Sequence, residues 1–275
     1  MDAVAIRAAL LGSRFADVRV VDEIDSTNRA LLAWATIGHD DDGEPVGDGT
    51  VLVARSQSAG RGRLGRKWIA PVDSALLMSV LVRPVKLPVE RWPLLSFAMG
   101  LAVVDAVRLL TSSPVALKWP NDVVMPDVAS PTGYRKLAGI LAESSVAWGA
   151  ERVVIGVGVN LVRPTALDPE FGPEAIPTWL SEHASAVNPS VFTSSVLARF
   201  GAHAETLGAS LVDFLDAYRA ASASIGQRVR ADLGERSLVG DAIDVDPLGR
   251  LIVRDDASTL HTLAAGDVVH LRPEA

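Results

Sequence analysis

The segment Gly60-Arg61-Gly62-Arg63-Leu64-Gly65-Arg66-Lys67-Trp68 carries the sharpest chemical pattern in the chain. Its glycines let backbone approach a ligand closely and expose N–H groups. Its arginines offer forked donors that match carboxylate and phosphate. No acid lies between Arg55 and Lys67, although the net charge of the chain is −7, so the clustering reads as an anion site. A solvated surface loop, or one that touches RNA non-specifically, is the plainer alternative. Lysine stands only at positions 67, 86, 118 and 136. Lys118 lies among apolar neighbours in Ala116-Leu117-Lys118-Trp119-Pro120. A compact ammonium concentrates charge at a point, where a guanidinium spreads it over a fork. A strand-edge lysine reaching for water is the alternative. Asn121-Asp122 puts a carboxylate beside that ammonium, suited to a Mg2+ contact, a base or a turn cap. Gly156-Val157-Gly158-Val159-Asn160 either brings backbone toward a ligand or marks a bulge.

These segments need elements to hold them. Residues 2–11 read as a short helix and Val18 to Ile24 alternates as a strand. Asp25-Ser26-Thr27-Asn28 is a run of N-cap residues before a helix over Arg29 to Ala35. Thr50 to Ala54 and Ala75 to Val82 read as strands, Val89 to Leu110 as a helix, and Val115 to Trp119 as a short strand. Leu137 to Ser145 and Arg152 to Val159 form a hairpin turning at Trp148-Gly149. Pro164, Pro169, Pro173 and Pro177 mark Arg163 to Pro177 as a long loop. The acidic, glycine-bearing stretch from His39 to Gly49 reads as a solvated loop. Residues 179–222 read as helices. Five short strands with tight turns follow, which suggests a small barrel. Arg228 and Arg230 fall on one face of its first strand, a basic pair that could meet phosphates or acidic groups. A boundary near 223 divides the chain into residues 1–223 and 224–275, and the fold class is α+β.

Composition removes several kinds of chemistry. The 275 residues include no Cys, which excludes a thiol nucleophile, disulfides, Cys-ligated zinc and iron–sulfur clusters. The His residues, at 39, 183, 203, 261 and 270, show no pair at helical ligand spacing. Net charge of −7 argues against generic nucleic-acid or anionic-membrane binding. The N-terminus carries Asp2 where a signal peptide wants a base, and Arg7 breaks its apolar run. Leu94 to Leu110 is interrupted by Asp105 and Arg108, so it reads as a core helix and not a membrane span. A cytoplasmic protein is expected.

Taken in order, the motifs resemble those of biotin protein ligases. They are Ser26-Thr27-Asn28, Gln57 ahead of the glycine–arginine run, Lys118-Trp119-Pro120-Asn121-Asp122, Lys136-Leu137-Ala138-Gly139-Ile140-Leu141-Ala142-Glu143, and Gly156-Val157-Gly158-Val159-Asn160-Leu161. The likeness is strong over residues 22–162 and weaker over the C-terminal strands. Motifs beginning at Ser26 leave no room for the winged helix of the family's repressors, so the short type is expected, with no DNA partner.

The resemblance implies a mixed, largely antiparallel sheet with helices on one face, followed by an SH3-like barrel. It implies an enzyme that joins biotin to ATP, holds biotinyl-5′-AMP, and passes the biotinyl group to a lysine of a biotin carboxyl carrier domain of biotin-dependent carboxylases. ATP, biotin and Mg2+ are then the expected cofactors, the metal ligands being unassigned, in a monomer or weak homodimer. By matching, Ser26, Thr27 and Gln57 would hydrogen-bond the biotin ring, with Asn28 supporting that turn. Gly60, Arg61, Gly62 and Arg63 would close over biotin's tail and the adenylate, and Arg66 would meet ATP phosphates. Trp68 would pack on the ligand. Lys118 would bridge carboxylate and α-phosphate, with Arg63 and Arg66 beside it as the catalytic cations. Gly139 and Ile140 would offer backbone beside the bicycle, and Asn160 would lie near the nucleotide. A lipoate or octanoate ligase of the same superfamily is one rival reading, and a non-enzymatic nucleic-acid binder using the arginine loop is another. The polar Ser26, Thr27 and Gln57 favour a ureido ring over an apolar tail.

Overall fold

β1 (Val18–Ile24) and β2 (Val51–Gln57) pair in parallel at one side of a seven-stranded sheet. β3 (Ala75–Val82), β7 (Arg152–Asn160), β6 (Tyr134–Ser145), β5 (Asp122–Pro126) and β4 (Ala116–Lys118) continue it in that order, each antiparallel to its neighbour. This sheet, mixed and largely antiparallel, is the expected one. The computed structural model describes residues 1–145, 151–165, 176–232, 237–264 and 267–270. The turn expected at Trp148-Gly149 and the middle of the Arg163 to Pro177 loop lie outside these residues, as do Ala265 and Gly266.

Every residue of β3 is buried, so both of its faces need a cover. Leu76, Met78, Val80 and Val82 share one face with Val153, Ile155, Val157 and Val159 of β7, all in the main apolar cluster. α3 (Leu94–Arg108) lies there. It is buried at every position but Ser96, Asp105 and Arg108, as a helix apolar all round must be. α1 (Ala3–Ala9), α4 (Pro189–Ala209) and α5 (Leu211–Ala221) pack on the same side and enclose α3. The other face departs from the expectation of helices on one side only. There α2 (Thr27–Ile37) lays Leu31, Trp34 and Ala35 over Leu52, Leu81 and Val154. The reason is the unbroken apolar run of the central strands, which leaves no solvent face under α2. The acidic loop after α2 is folded around the buried Asp40, whose carboxylate accepts from Asp42 and Glu44 N–H and pairs with Arg19.

β8 (Arg228–Asp232), β9 (Ser237–Val245), β10 (Leu251–Arg254), β11 (Leu260–Leu263) and β12 (Asp267–His270) form a second sheet. Its order is β11-β10-β9-β8-β12, antiparallel throughout. Its inner residues Val229, Ala231, Leu251 and Val253 belong to the same apolar cluster as α3. The Phe97 ring on α3 stacks on Tyr218 of α5 with centroids 3.8 Å apart, beside the turn at Gly249. Among the described residues no helix is long and apolar enough to cross a membrane.

Candidate active site

The face of the sheet that carries α2 is hollow beyond the start of that helix, and glycines make it so. Residues alternate across a strand, so Gly156, Gly158 and Asn160 of β7 share this face with Gly139, Leu141 and Glu143 of β6. A Cβ on Gly158 would lie 2.4 Å from Cε2 of Trp68, and one on Gly139 would lie 3.1 Å from its Cζ3. The indole therefore comes down onto the sheet only because both side chains are missing. The resulting cavity of about 830 Å³ falls in the upper part of the ~300–1,000 Å³ range of small-molecule sites.

One end of the cleft is neutral and hydrogen-bonding. The N-terminus of α2 opens on it, with Ser26, Thr27 and Asn28 all buried. Ser26 is the N-cap, yet its side chain makes no capping bond and instead lines the cleft. Gln57, the last residue of β2, accepts at Oε1 from Thr27 N at 2.7 Å and from Thr27 Oγ1 at 3.1 Å. Beneath them the buried Ser79 Oγ lies 2.7 Å from Thr27 Oγ1 and 2.6 Å from Asn28 Oδ1. Asn28 Nδ2 donates to Leu141 O and to Glu143 Oε2, each at 3.0 Å. Its amide is thus fully engaged with protein, which makes it a support for the turn.

The other end is cationic. Trp68 N donates to Gly60 O at 3.0 Å and Gly62 N to Arg66 O at 2.7 Å, so the glycine–arginine run folds back on itself. Leu64 and Gly65 take positive φ at its tip. Arg61, Gly62, Arg63 and Arg66 line the cleft. Gly60 is buried at the base of the loop. A Cβ at Gly60 would fall 2.3 Å from Trp68 O, so its part is to close the loop. Arg61 Nη1 pairs with Glu143 Oε1 at 2.9 Å, and Arg63 Nη1 donates to Asn121 Oδ1 at 3.4 Å. Burial holds the Arg63 guanidinium below the usual arginine range, with Asp122 opposing that shift and Arg66 adding to it. A partly buried cation of this kind is stabilised by an incoming anion. Lys118, the last residue of β4, lines the cleft opposite Asp122, its cross-strand partner on β5. Lys136 Nζ lies 2.7 Å from Asp122 Oδ1 and 5.8 Å from the Trp68 ring centroid. Among the described residues, the buried Trp68 Nε1 has no hydrogen-bond partner.

Ile140 also lines the cleft, and its backbone is engaged with Asn121. Its N–H donates to Asn121 O and its C=O accepts from Asn121 Nδ2, both at 2.9 Å, so its backbone fixes the Asn121-Asp122 turn. Its side chain is buried on the helix side of the sheet. Asn160 Nδ2 donates to Lys136 O at 3.3 Å and Thr178 O at 3.2 Å, tying β7 to the chain before Trp179. Trp179 is buried against the cleft, with the Arg163 guanidinium 5.5 Å from its ring centroid. Val268 and Val269 of β12 complete the lining, so the second sheet reaches the site. Among the described residues no group of three His, Asp or Glu gathers as a metal site.

The structure brings together Ser26, Thr27, Asn28, Gln57, Arg61, Gly62, Arg63, Arg66, Trp68, Lys118, Gly139, Ile140 and Asn160 around one cleft. Sequence reasoning missed Ser79, Lys136, Glu143 and Trp179. Glu143 was within reach, since strand parity puts it on the face of Gly139. Lys136 is one of the four lysines. Ser79 and Trp179 give no signal that separates them from core residues.

Chemically, the cleft suits a ligand that is neutral and hydrogen-bonding at one end and anionic at the other, held beside a phosphate-bearing partner. Residues 20–160 match the Biotin/lipoate A/B protein ligase family, and residues 224–271 match the Biotin protein ligase C terminal domain. The chain belongs to that ligase family. It is 39% identical to the biotin–[acetyl-CoA-carboxylase] ligase of Mycobacterium tuberculosis, over 99% of this chain and 96% of that one. It is 33% identical to the ligase of the same name from Paracoccus denitrificans, over 85% and 92% of the two chains. The biotin protein ligase of Aquifex aeolicus in complex with biotin and ATP superposes with a TM-score of 0.75 at 26% identity, covering 94% of this chain and 100% of that one.

Proposed function

We propose that this protein condenses biotin with ATP to biotinyl-5′-AMP and pyrophosphate, then passes the biotinyl group to a lysine of a carrier protein. The observation that carries this reading is the pairing of ends in one cleft. Ser26 and Thr27, both buried, and the half-buried Gln57 offer hydrogen bonds to a neutral ureido ring, and Arg61, Arg63, Arg66 and Lys118 face the anionic tail and the phosphates. An apolar lipoyl or octanoyl tail could not hydrogen-bond the Ser26 hydroxyl, which lines the cleft without capping its helix, and a buried polar group left unmet costs about 1–3 kcal/mol.

The first step joins two anions. Biotin's carboxylate is already ionised at neutral pH, so no strong base is needed. The obstacle is repulsion between the carboxylate and the α-phosphate. Lys118 reduces it from a point close to both, and Arg63 and Arg66 spread positive charge along the phosphates. A carboxylate oxygen then bonds to the α-phosphorus and pyrophosphate leaves. Arg61 and the backbone of the glycine–arginine run close over the mixed anhydride and keep water away. Asn160 and the flat Trp179 face suit the nucleotide. Mg2+ carried with ATP would offset phosphate charge, and Asp122, the carboxylate in the cleft lining, would be the protein group able to meet it. In the second step an unprotonated lysine amine of the carrier attacks the acyl carbon, AMP leaves, and the amine loses its proton as the amide forms.

We read residues 1–223 as the ligase unit and 224–275 as an SH3-like barrel. The break in register between Ile252 and Val253 supports the curl that a barrel needs. The carrier is read as the biotin carboxyl carrier domain of a biotin-dependent carboxylase. Incubation with biotin, Mg·ATP and such an apo domain should add one biotinyl mass to the domain, and lipoate in equimolar competition should add none. Transfer of lipoate in preference to biotin would overturn the substrate; no biotin-dependent pyrophosphate release would overturn the reaction.

A further inference from the structure

The strand that ends in Lys118 is only Ala116–Lys118, and in the sheet it has one neighbour, β5. A three-residue edge strand paired on one side does not by itself fix the position of its last side chain. Its other side is held by the chain on the way into the second sheet. Leu117 O accepts from Ala223 N at 2.7 Å, and Trp119 N donates to Ser224 Oγ at 3.0 Å. The Trp119 indole Nε1 donates to Gly249 O at 2.9 Å. These bonds bracket Lys118 in sequence, on both sides. Trp119 is 1% exposed and Ser224 is 0% exposed, so water does not compete for them. Gly249 is fixed in turn. It has φ 78°, and a Cβ there would lie 2.9 Å from Leu94 Cδ2 and 3.3 Å from the Phe97 ring, so the turn seats directly on α3. Asp246 Oδ1 accepts from Leu248 and Arg250 N–H, both at 2.9 Å, and sets the shape of that turn.

We infer that Trp119 and Ser224 are positioning residues for Lys118, and that the second sheet takes part in biotin activation by holding the Lys118 strand. Neither residue touches the reacting atoms. Each fixes backbone next to Lys118, whose ammonium has to meet a carboxylate and a phosphate at once. The inference rests on the reading of Lys118 given above. A displacement near 1 Å in such a site costs up to about 10² in rate.

The test compares Ser224→Ala, which removes the acceptor for Trp119 N, and Trp119→Phe, which removes the indole donor, with Val229→Ala, a cavity in the second sheet that leaves these bonds in place. Biotin-dependent pyrophosphate release is measured well below every melting temperature, and biotin affinity by calorimetry. We expect kcat to fall about tenfold in the first two variants with biotin Kd unchanged, and to stay near wild type in Val229→Ala. On a Lys118→Ala background Trp119→Phe should cost nothing further. Losses no greater than in Val229→Ala, with Lys118→Ala itself severely impaired, would overturn the positioning role alone. Wild-type rates in Lys118→Ala would overturn the reading of Lys118, and this inference with it.

Discussion

Asn28 Oδ1 occupies the space that a side chain on Gly156 would need: a Cβ at Gly156 would lie 2.1 Å from it. The start of α2 comes down onto β7 because that strand has a glycine there. This contact fixes Ser26 and Thr27 at the neutral end of the cleft, since they immediately precede Asn28 at the cap and first position of the helix.

Gly156→Ala should therefore act as a mutation of the ligand site, although the methyl faces Asn28. Overpacking of this kind costs about 1–3 kcal/mol, and relief by moving Asn28 breaks its contact with Ser79. Biotin affinity by calorimetry should drop by about tenfold or more. An unchanged Kd would show that the helix start tolerates displacement and that Ser26 and Thr27 do not set affinity.

Glu143 links the two ends of the cleft, with Oε2 accepting from Asn28 and Oε1 paired with Arg61. Glu143→Gln keeps an acceptor for Asn28 and loses the ion pair. The pair is partly exposed, so biotin affinity should fall only about twofold to fivefold. Glu143→Ala also leaves a buried Asn28 N–H without an acceptor and should cost about tenfold. Equal effects of the two variants would mean that the charge, and not the Asn28 bond, carries the role.

Lys118→Ala should leave the melting temperature close to wild type and cut adenylate formation by about 10² or more, the size seen when a preorganised donor is removed. Lys118→Arg should restore little, because a planar fork does not place its charge where the ammonium stood. The measurement is single-turnover formation of biotinyl-5′-AMP. A rate in Lys118→Arg within twofold of wild type would count against a point-charge role.

The glycine–arginine run presents Arg61 to Lys67 at the mouth of the cleft, with Arg61, Arg66 and Lys67 exposed. Trypsin should cut there in the ligand-free protein and slow sharply once biotin and ATP are present, because the anions draw the arginines inward. Digestion mapped by mass spectrometry decides this, and the same cutting rate with and without ligand would rule out closure of the loop.

The sequence by itself determined which chemistry was open to this chain. The absence of Cys removed thiol and cluster chemistry. The glycine–arginine run announced an anion site because no acid interrupts it, and Lys118 stood out because lysine is rare here. The pattern of apolar residues located most strands of the sheet to within three residues at their ends, since burial on a pleated surface has a period of two. It did not give the cover on the second face, because an apolar run such as Ala75–Val82 reads the same whatever packs against it.

Tertiary structure decided the partners. Arg228 and Arg230 fall on one face of β8, as their spacing requires, but Arg228 pairs with Asp256 at 2.7 Å and Arg230 with Asp232 at 3.3 Å. The expected basic patch is thereby largely neutralised by acids, one of them 28 residues away. Glu143 and Arg61 are 82 residues apart, and Trp119 and Gly249 are 130 apart. Contacts of that separation leave no local period or propensity to read. They exist because the sheet aligns distant strands, and because Gly139, Gly156 and Gly158 leave the hollow into which Asn28 and Trp68 fit.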